Sequence, residues 1–372
     1  MCSEVDKPGC VELMESLFEP VVEREMEAHM MPGLCLSVVK DGEMAYAKAF
    51  GVKSLLTGER TTVDSLFHMA SLTKPPVATS IIQLVERGMV DLESPVVEYL
   101  PYFRLRDPRY ETITVGQMVN HTSGMPDVVD YEWDNPVYDD GALERYVRSL
   151  AGETLMATPG EEYHYSNMAY EVLGDVISKV SGDTFEGYVE GQILEPLKMK
   201  GSTLLKRRAN PRLLTAPHVV GNGGVAVSEV FPYNRMHAPS STLISSVVDM
   251  ARWALANLNR GQLDSRRILE ESSYDLLFEP WRDPRKNGLG SRTTDHGGHD
   301  TGNGWGWFHG EHRGRRVVYH GGRDTGFRSY IALLPEESLA VVCSCNFDQA
   351  PIVSIANTAL DVLLGFEGTI QR

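Results

Sequence analysis

A chain of 372 residues, 42% apolar and 23% charged, has an ordinary globular composition, enough length for two structural lobes and no apolar run that could cross a bilayer. Its 35 basic against 51 acidic residues leave a net charge of -16, which opposes phosphate backbones and anionic lipid, so neither nucleic acid nor a membrane is expected as a partner. The acidic first 23 residues lack the pattern of a secretory signal, and Cys2, Cys10, Cys35, Cys343 and Cys345 lack zinc-ligand spacing, so reduced thiols and a cytoplasmic protein are expected.

Helical spacing over 10–29 predicts an N-terminal helix, ended by Pro32 and Gly33. Strand-like runs at 35–39 and 44–50 flank Lys40-Asp41-Gly42, whose Asp-Gly pair signals a hairpin. Helical spacing returns over 79–89, 113–119, 170–180, 185–194 and 247–258, separated by Pro- and Gly-rich connections. The acidic stretch 127–140 and the Gly- and His-rich stretch 288–304 read as long irregular loops. Short apolar or alternating runs follow at 305–309, 316–319, 329–334 and 339–345, and a helix at 352–364. Strands at both ends with helices between predict an α/β fold of the α+β kind. It has one mainly antiparallel sheet, flanked by the N- and C-terminal helices, with a mostly helical lobe inserted. The α/β lobe is expected at about 1–75 and 235–372 and the helical lobe at about 76–234, together forming a single catalytic unit.

In Ser71-Leu72-Thr73-Lys74 a serine and a lysine stand three apart, on one face of a helical or 3₁₀ turn. A serine hydroxyl needs an adjacent base, and an amine serves only where burial or charge lowers its pKa; Met69, Ala70 and Leu72 supply apolar cover. The spacing alone is common on surface helices. Tyr165-Ser166-Asn167 adds a phenol that can shuttle protons and an amide that can donate to a substrate carbonyl, pointing the same way if extended. Tyr and Asn before a helix are also frequent capping groups. His320-Gly321-Gly322, ending a strand-like run, would let an acyl group approach closely with an N–H aimed at a developing oxyanion.

These three elements in this order resemble the serine β-lactamase and penicillin-binding family, whose motifs are Ser-x-x-Lys, Ser-x-Asn or Tyr-x-Asn, and Lys-Thr-Gly or His-x-Gly. The Tyr-x-Asn and His-x-Gly forms resemble its class C branch, with esterases, D-aminopeptidases and DD-peptidases. Phe67-His68-Met69-Ala70, the stretch from Ile113-Thr114 to His121-Thr122-Ser123-Gly124, Thr158-Pro159-Gly160, and 240–245 are similar to further recurrent segments of that family. The resemblance implies that Ser71 is acylated, that Lys74 and Tyr165 move its proton, and that Asn167, His320, Gly322 and Arg323 bind substrate. The N–H groups of Ser71 and Arg323 would form the oxyanion hole. No metal or organic cofactor is implied; the partner is a small ester, amide or short peptide.

His320 stands where many relatives carry lysine, which exchanges a fixed cation for a group that titrates near neutrality. This favours neutral esters or amides over β-lactams and wall peptides. Acyl transfer, DD-peptidase or β-lactamase activity and a non-catalytic scaffold remain the alternatives. Pro75 and Pro76, directly after Lys74, suggest a 3₁₀ turn at Ser71 with the regular helix starting later. His296, His299, His309 and His312, with Asp300, read as a polar loop and strand rather than a metal site. His121 reads as a buried, hydrogen-bonded histidine, Trp305 and Trp307 as core residues on one strand face, 127–140 as a solvated loop, Lys206-Arg207-Arg208 as a solvated turn, and Cys343 and Cys345 as small buried hydrophobes.

Overall fold

A computed structural model describes residues 9–221, 223–280, 282–283, 288–289 and 300–366. Its centre is an antiparallel seven-stranded sheet. The strands are β1 (Gly33–Lys40), β2 (Glu43–Gly51), β3 (Asp300–Asn303), β4 (Phe308–His312), β5 (Arg315–Asp324), β6 (Phe327–Leu334) and β7 (Leu339–Cys345). Their spatial order is β3-β4-β5-β6-β7-β1-β2. The N-terminal hairpin therefore joins the sheet beside its last strand, in a register running from Leu34↔Cys345 to Lys40↔Leu339. Asp41 and Gly42 take φ of 52° and 86° between β1 and β2. Two successive positive values give the twist a two-residue hairpin needs, which is why an Asp-Gly pair sits there.

Period-two alternation splits the strands between two cores. Leu34, Leu36 and Val38 of β1 join Val341, Cys343 and Cys345 of β7 and Tyr319 of β5 on the outer face. Met14, Phe18 and Val22 from the N-terminal helical segment and Ile355, Leu360 and Val362 from the C-terminal helix pack there too. Both terminal helices thus share one face. The N-terminal segment runs Cys10–Leu13, a π-helical turn Met14–Phe18 and α1 (Glu19–Ala28). The inner face carries Cys35, Val39, Val318, Ile331 and Val342, packed with helices α2 (Lys74–Glu86), α3 (Asn167–Ser181) and α4 (Val247–Leu258). Ser37, on the same side, donates to the Val247 carbonyl at 2.8 Å and so pins α4 to β1. The C-terminal helix is α5 (Ile352–Leu363).

Several expectations are corrected. The regular helix after Ser71 does not wait beyond the prolines: it begins at Lys74 and takes Pro75 and Pro76 into its first turn. First-turn nitrogens have no intrahelical acceptor, so proline loses no hydrogen bond there. Part of the stretch read as irregular is strand β3, which forms the sheet edge against β4. Trp305 and Trp307 lie in the turn before β4 rather than on a strand, although Trp307 is buried and stacked on Trp253. His296 and His299 lie outside the described residues, whereas His309 is buried and His312 bonds Asp361 of α5 at 2.9 Å. Among the described residues no group of three or more His, Cys, Asp or Glu gathers as a metal site, and no helix is long and apolar enough to cross a membrane. The basic turn Lys206-Arg207-Arg208 is solvated at Arg207 and Arg208, as expected, while Lys206 and Arg207 also rest over the rings of Phe231 and Tyr138 and Arg208 pairs with Glu190. Cys35, Cys343 and Cys345 are buried free thiols, and Cys2 lies outside the described residues.

Candidate active site

Ser71 rides on a 3₁₀ turn, Ala70–Thr73, entered through the two-residue strand Phe67–His68. That strand pairs with Ile244–Ser245, and the Met69 N–H donates to the Leu243 carbonyl at 2.8 Å. Ala70 holds φ at 49°, a left-handed value that costs a non-glycine residue roughly 1 kcal/mol and persists only where the surroundings dictate it. Three hydroxyl bonds supply the constraint. Thr73 Oγ1 donates to the Ala70 carbonyl at 2.7 Å and accepts the Leu243 N–H at 3.0 Å, while Ser329 Oγ on β6 donates to the Met69 carbonyl at 2.6 Å.

Two groups converge on the Ser71 hydroxyl. Lys74 Nζ and Tyr165 Oη each donate to Ser71 Oγ at 3.0 Å. Lys74, wholly buried at the start of α2, also donates to the Ser240 carbonyl at 2.9 Å. Burial pushes its pKa down to about 8, against the opposing pull of Glu171, Asp127 and Asp324. The rings of Tyr165 and Tyr170 stand 5.0 and 5.5 Å from the amine, low-polarity walls that shed water yet still favour a cation. Tyr165 is held flat by His121, stacked 4.4 Å away, whose Nδ1 accepts the Ser166 N–H at 3.1 Å. His121 is buried, as read from the sequence, and serves as a plate beneath the phenol.

Ser166 caps α3 by accepting the Ala169 N–H at 3.1 Å and donates to the Pro126 carbonyl at 2.6 Å. This fixes Asn167 at the first helical position. The Asn167 backbone and side-chain amides both donate to one oxygen of Asp127 at 2.8 Å, and its carboxamide oxygen is buried with no hydrogen-bond partner among the described residues. The third motif arrives along β5. Val318 belongs to the inner core and Tyr319 to the outer, so alternation sets His320 and Gly322 on the side of Ser71. A Cβ on Gly322 would collide with the Met69 carbonyl and Ser329 Oγ and lie 3.1 Å from the Ser71 nitrogen. Only glycine lets β5 come this close to the Ser71 N–H. His320 is 2% exposed, and its ring lies 4.8 Å from Phe308, itself 6.5 Å from Tyr165. Arg323 is exposed. Asp324, one residue on, meets the buried His68 Nε2 at 2.7 Å and ties the end of β5 to the strand leading into Ser71.

Ser71, Lys74 and Tyr165 are therefore within direct hydrogen-bond reach, with Gly322 against the Ser71 nitrogen. Asn167 meets Asp127 rather than any of the three. Sequence reading did not single out Asp127, Glu171, His237 or the His68–Asp324 pair. Glu171 alone left a readable mark, an acid four residues after Asn167 in the otherwise apolar run Tyr170-Glu171-Val172-Leu173. The loop 127–140 has no helix or strand and exposes its acids, yet Tyr131 and Trp133 stack at 4.6 Å and turn edges toward His237. It is solvated on one side and packed on the other.

The chain is similar to known proteins over most of its length. A family model described as Beta-lactamase matches residues 18–364. Protein flp of Staphylococcus aureus (strain MRSA252) is 26% identical over 331 residues, 89% of this chain and 62% of that protein. Penicillin-binding protein 4 of Amycolatopsis lactamdurans is 29% identical over 256 residues, 67% of this chain and 65% of its own. The chain thus spans less than two thirds of the length of either relative. The octameric penicillin-binding protein homologue from Pyrococcus abyssi superposes with a TM-score of 0.79 at 28% identity, covering 94% of this chain and 77% of its own. A crystal structure of SurE shares the fold, with a TM-score of 0.74 at 22% identity over 95% of this chain and 75% of that one.

Proposed function

Because the chain belongs to the beta-lactamase family, we propose that it is a serine hydrolase that cleaves an ester or amide bond through an acyl-Ser71 intermediate. The observation that carries this reading is the convergence of Lys74 Nζ and Tyr165 Oη on Ser71 Oγ, each at 3.0 Å. In the neutral amine form Lys74 takes the Ser71 proton as Oγ attacks the carbonyl carbon. The negative charge gathers on the carbonyl oxygen, which the N–H groups of Ser71 and Arg323 stabilise. Tyr165 Oη then carries a proton to the leaving alcohol or amine as the acyl-enzyme forms, and water releases the acid in the second half. Asn167 and His320 line the substrate's acyl side. Neutral esters or amides suit a third motif that carries histidine in place of lysine.

Intact-protein mass spectrometry after exposure to a fluorophosphonate is expected to show one adduct, on Ser71, that Ser71→Ala removes. An adduct elsewhere, or none, overturns the reading. Turnover of β-lactams is a second reading, favoured by the similarity to a protein named penicillin-binding protein 4. A panel of short p-nitrophenyl esters, D-amino acid amides and a chromogenic cephalosporin separates the two, since strong cephalosporin hydrolysis would displace the ester or amide assignment.

A further inference from the structure

Glu171 is a fully buried carboxylate on α3, one turn after Asn167, and the chemistry assigned to Ser71 does not use it. A buried acid is destabilising unless its surroundings compensate, so an apolar residue would pack there more readily. Both of its hydrogen-bond partners meet the same oxygen, Oε1. Ser240 Oγ donates to it at 2.5 Å, and His237 Nδ1 lies 3.2 Å away. Ser240 is also the residue whose main-chain carbonyl accepts the Lys74 amine at 2.9 Å. A neutral amine has two N–H bonds and one lone pair; anchoring one N–H at the Ser240 carbonyl fixes the amine so that, once it has lost its extra proton, its lone pair can face Ser71 Oγ.

We propose that Glu171, supported by His237, is a positioning residue for Lys74: it holds Ser240 by its hydroxyl so that the Ser240 carbonyl turns the Lys74 amine toward Ser71. The assignment rests on the hydrolase reading and deepens it. His237 is itself clamped, with the rings of Tyr131, Trp133 and Tyr146 set edge-on against it at 4.9, 5.9 and 4.6 Å. The clamp reaches from loop 127–140 and helix Ala142–Ser149 to the segment bearing Ser240. Glu171 also acts through its charge. It is faced by His237 and Ser240, by Lys74 of α2, and by the phenols of Tyr146 and Tyr131, while Lys74 is faced by Asp127 and Asp324 besides. Burial raises the Glu171 pKa, and His237, Ser240 and Lys74 draw it back. As an anion it favours the Lys74 ammonium, so its removal lowers the pH at which the amine becomes neutral.

The test follows the second-order rate of Ser71 labelling by a fluorophosphonate across pH, on the full chain, which requires no knowledge of the substrate. Ser240→Ala leaves the main-chain carbonyl but releases its tether, and is expected to slow labelling about 10- to 100-fold. Ser240→Thr keeps the hydroxyl and recovers most of the rate. Glu171→Gln still accepts the Ser240 bond but has no charge, so its acid limb moves to lower pH, a displacement that a purely structural role does not produce. Melting curves establish that each variant is folded; should Glu171→Gln not fold, Ser240→Ala decides alone. A folded Ser240→Ala labelled at the wild-type rate, or a folded Glu171→Gln with an unmoved acid limb, overturns the proposal. Wild-type protein that takes no label at Ser71 overturns the hydrolase reading itself, and the proposal with it.

Discussion

With its amine pushed down to about 8 by burial, Lys74 is roughly one-tenth neutral at pH 7, whereas an ordinary lysine would be about 200- to 300-fold less available. In the proposed role the neutral form removes the Ser71 proton, which sets the sign of the pH dependence. Below about pH 8 the rate falls tenfold per unit as the amine protonates; above it the rate levels. A plot of log kcat/KM for any ester substrate is expected to rise with unit slope and bend near pH 8, and a flat profile between pH 5 and 8 would contradict this role for Lys74. Lys74→Arg keeps a cation that cannot deprotonate and is expected to lose a factor of about 10²–10⁴ in kcat, the usual worth of a general base. At this scale Ser71, Lys74 and Tyr165 are legible in the chain because each is a chemically distinctive group at a telling spacing. Asp127 is not, because an acidic loop reads first as a solvated face, and Glu171 shows only as an acid in an apolar helical run; packing alone reveals that Glu171 is buried and that Asp127 is bonded to Asn167.

The 3₁₀ turn bearing Ser71 is a strained element pinned from two directions, to β6 by Ser329 and to the Leu243 N–H by Thr73. Ser329→Ala releases the β6 side and leaves the buried Met69 carbonyl without that donor. It is expected to lower stability by about 1–3 kcal/mol, read as a fall in the denaturant midpoint. It is also expected to reduce kcat by up to about 100-fold through misplacement of Ser71 Oγ; a lowered midpoint with unchanged kcat would show that the turn holds its shape without this bond. Local signals fare well at the scale of elements. The Asp-Gly hairpin, the strand 339–345 and the helix 247–258 fall where alternation and helical spacing put them. They fail where tertiary contacts decide. Pro75 and Pro76 signal a break that the free nitrogens of a first turn absorb, and β5 runs on through Gly321 and Gly322 because its pairing with β6 outweighs the poor strand propensity of glycine.

Across the whole molecule, the sheet divides a catalytic side from a supporting side. The outer core is built from the two terminal helical segments against β1, β2 and β4–β7; Ser71, Lys74 and Asn167 do not belong to it, and Tyr165 packs against its edge beside Phe308. Leu360→Ala, a truncation within that core, is expected to cost about 2–5 kcal/mol of stability. The rate of Ser71 labelling in the fraction that stays folded should be unchanged; a large loss of that rate at temperatures well below the melt would mean the two faces are coupled. That strands from both chain ends share one sheet is legible from the pattern. That both terminal helices lie on the same face is not, since it depends on which way each strand turns its side chains. The register Val38↔Val341 joins residues separated by almost the whole described chain. A growing polypeptide can complete the β1–β2 hairpin early, but β1 has no neighbour on its other edge until residues 339–345 have left the ribosome. Through most of synthesis that edge is an open template for pairing with another nascent chain, so the yield of native protein in a cell should depend on translation rate and on chaperones that shield the edge, far more than its final stability would suggest.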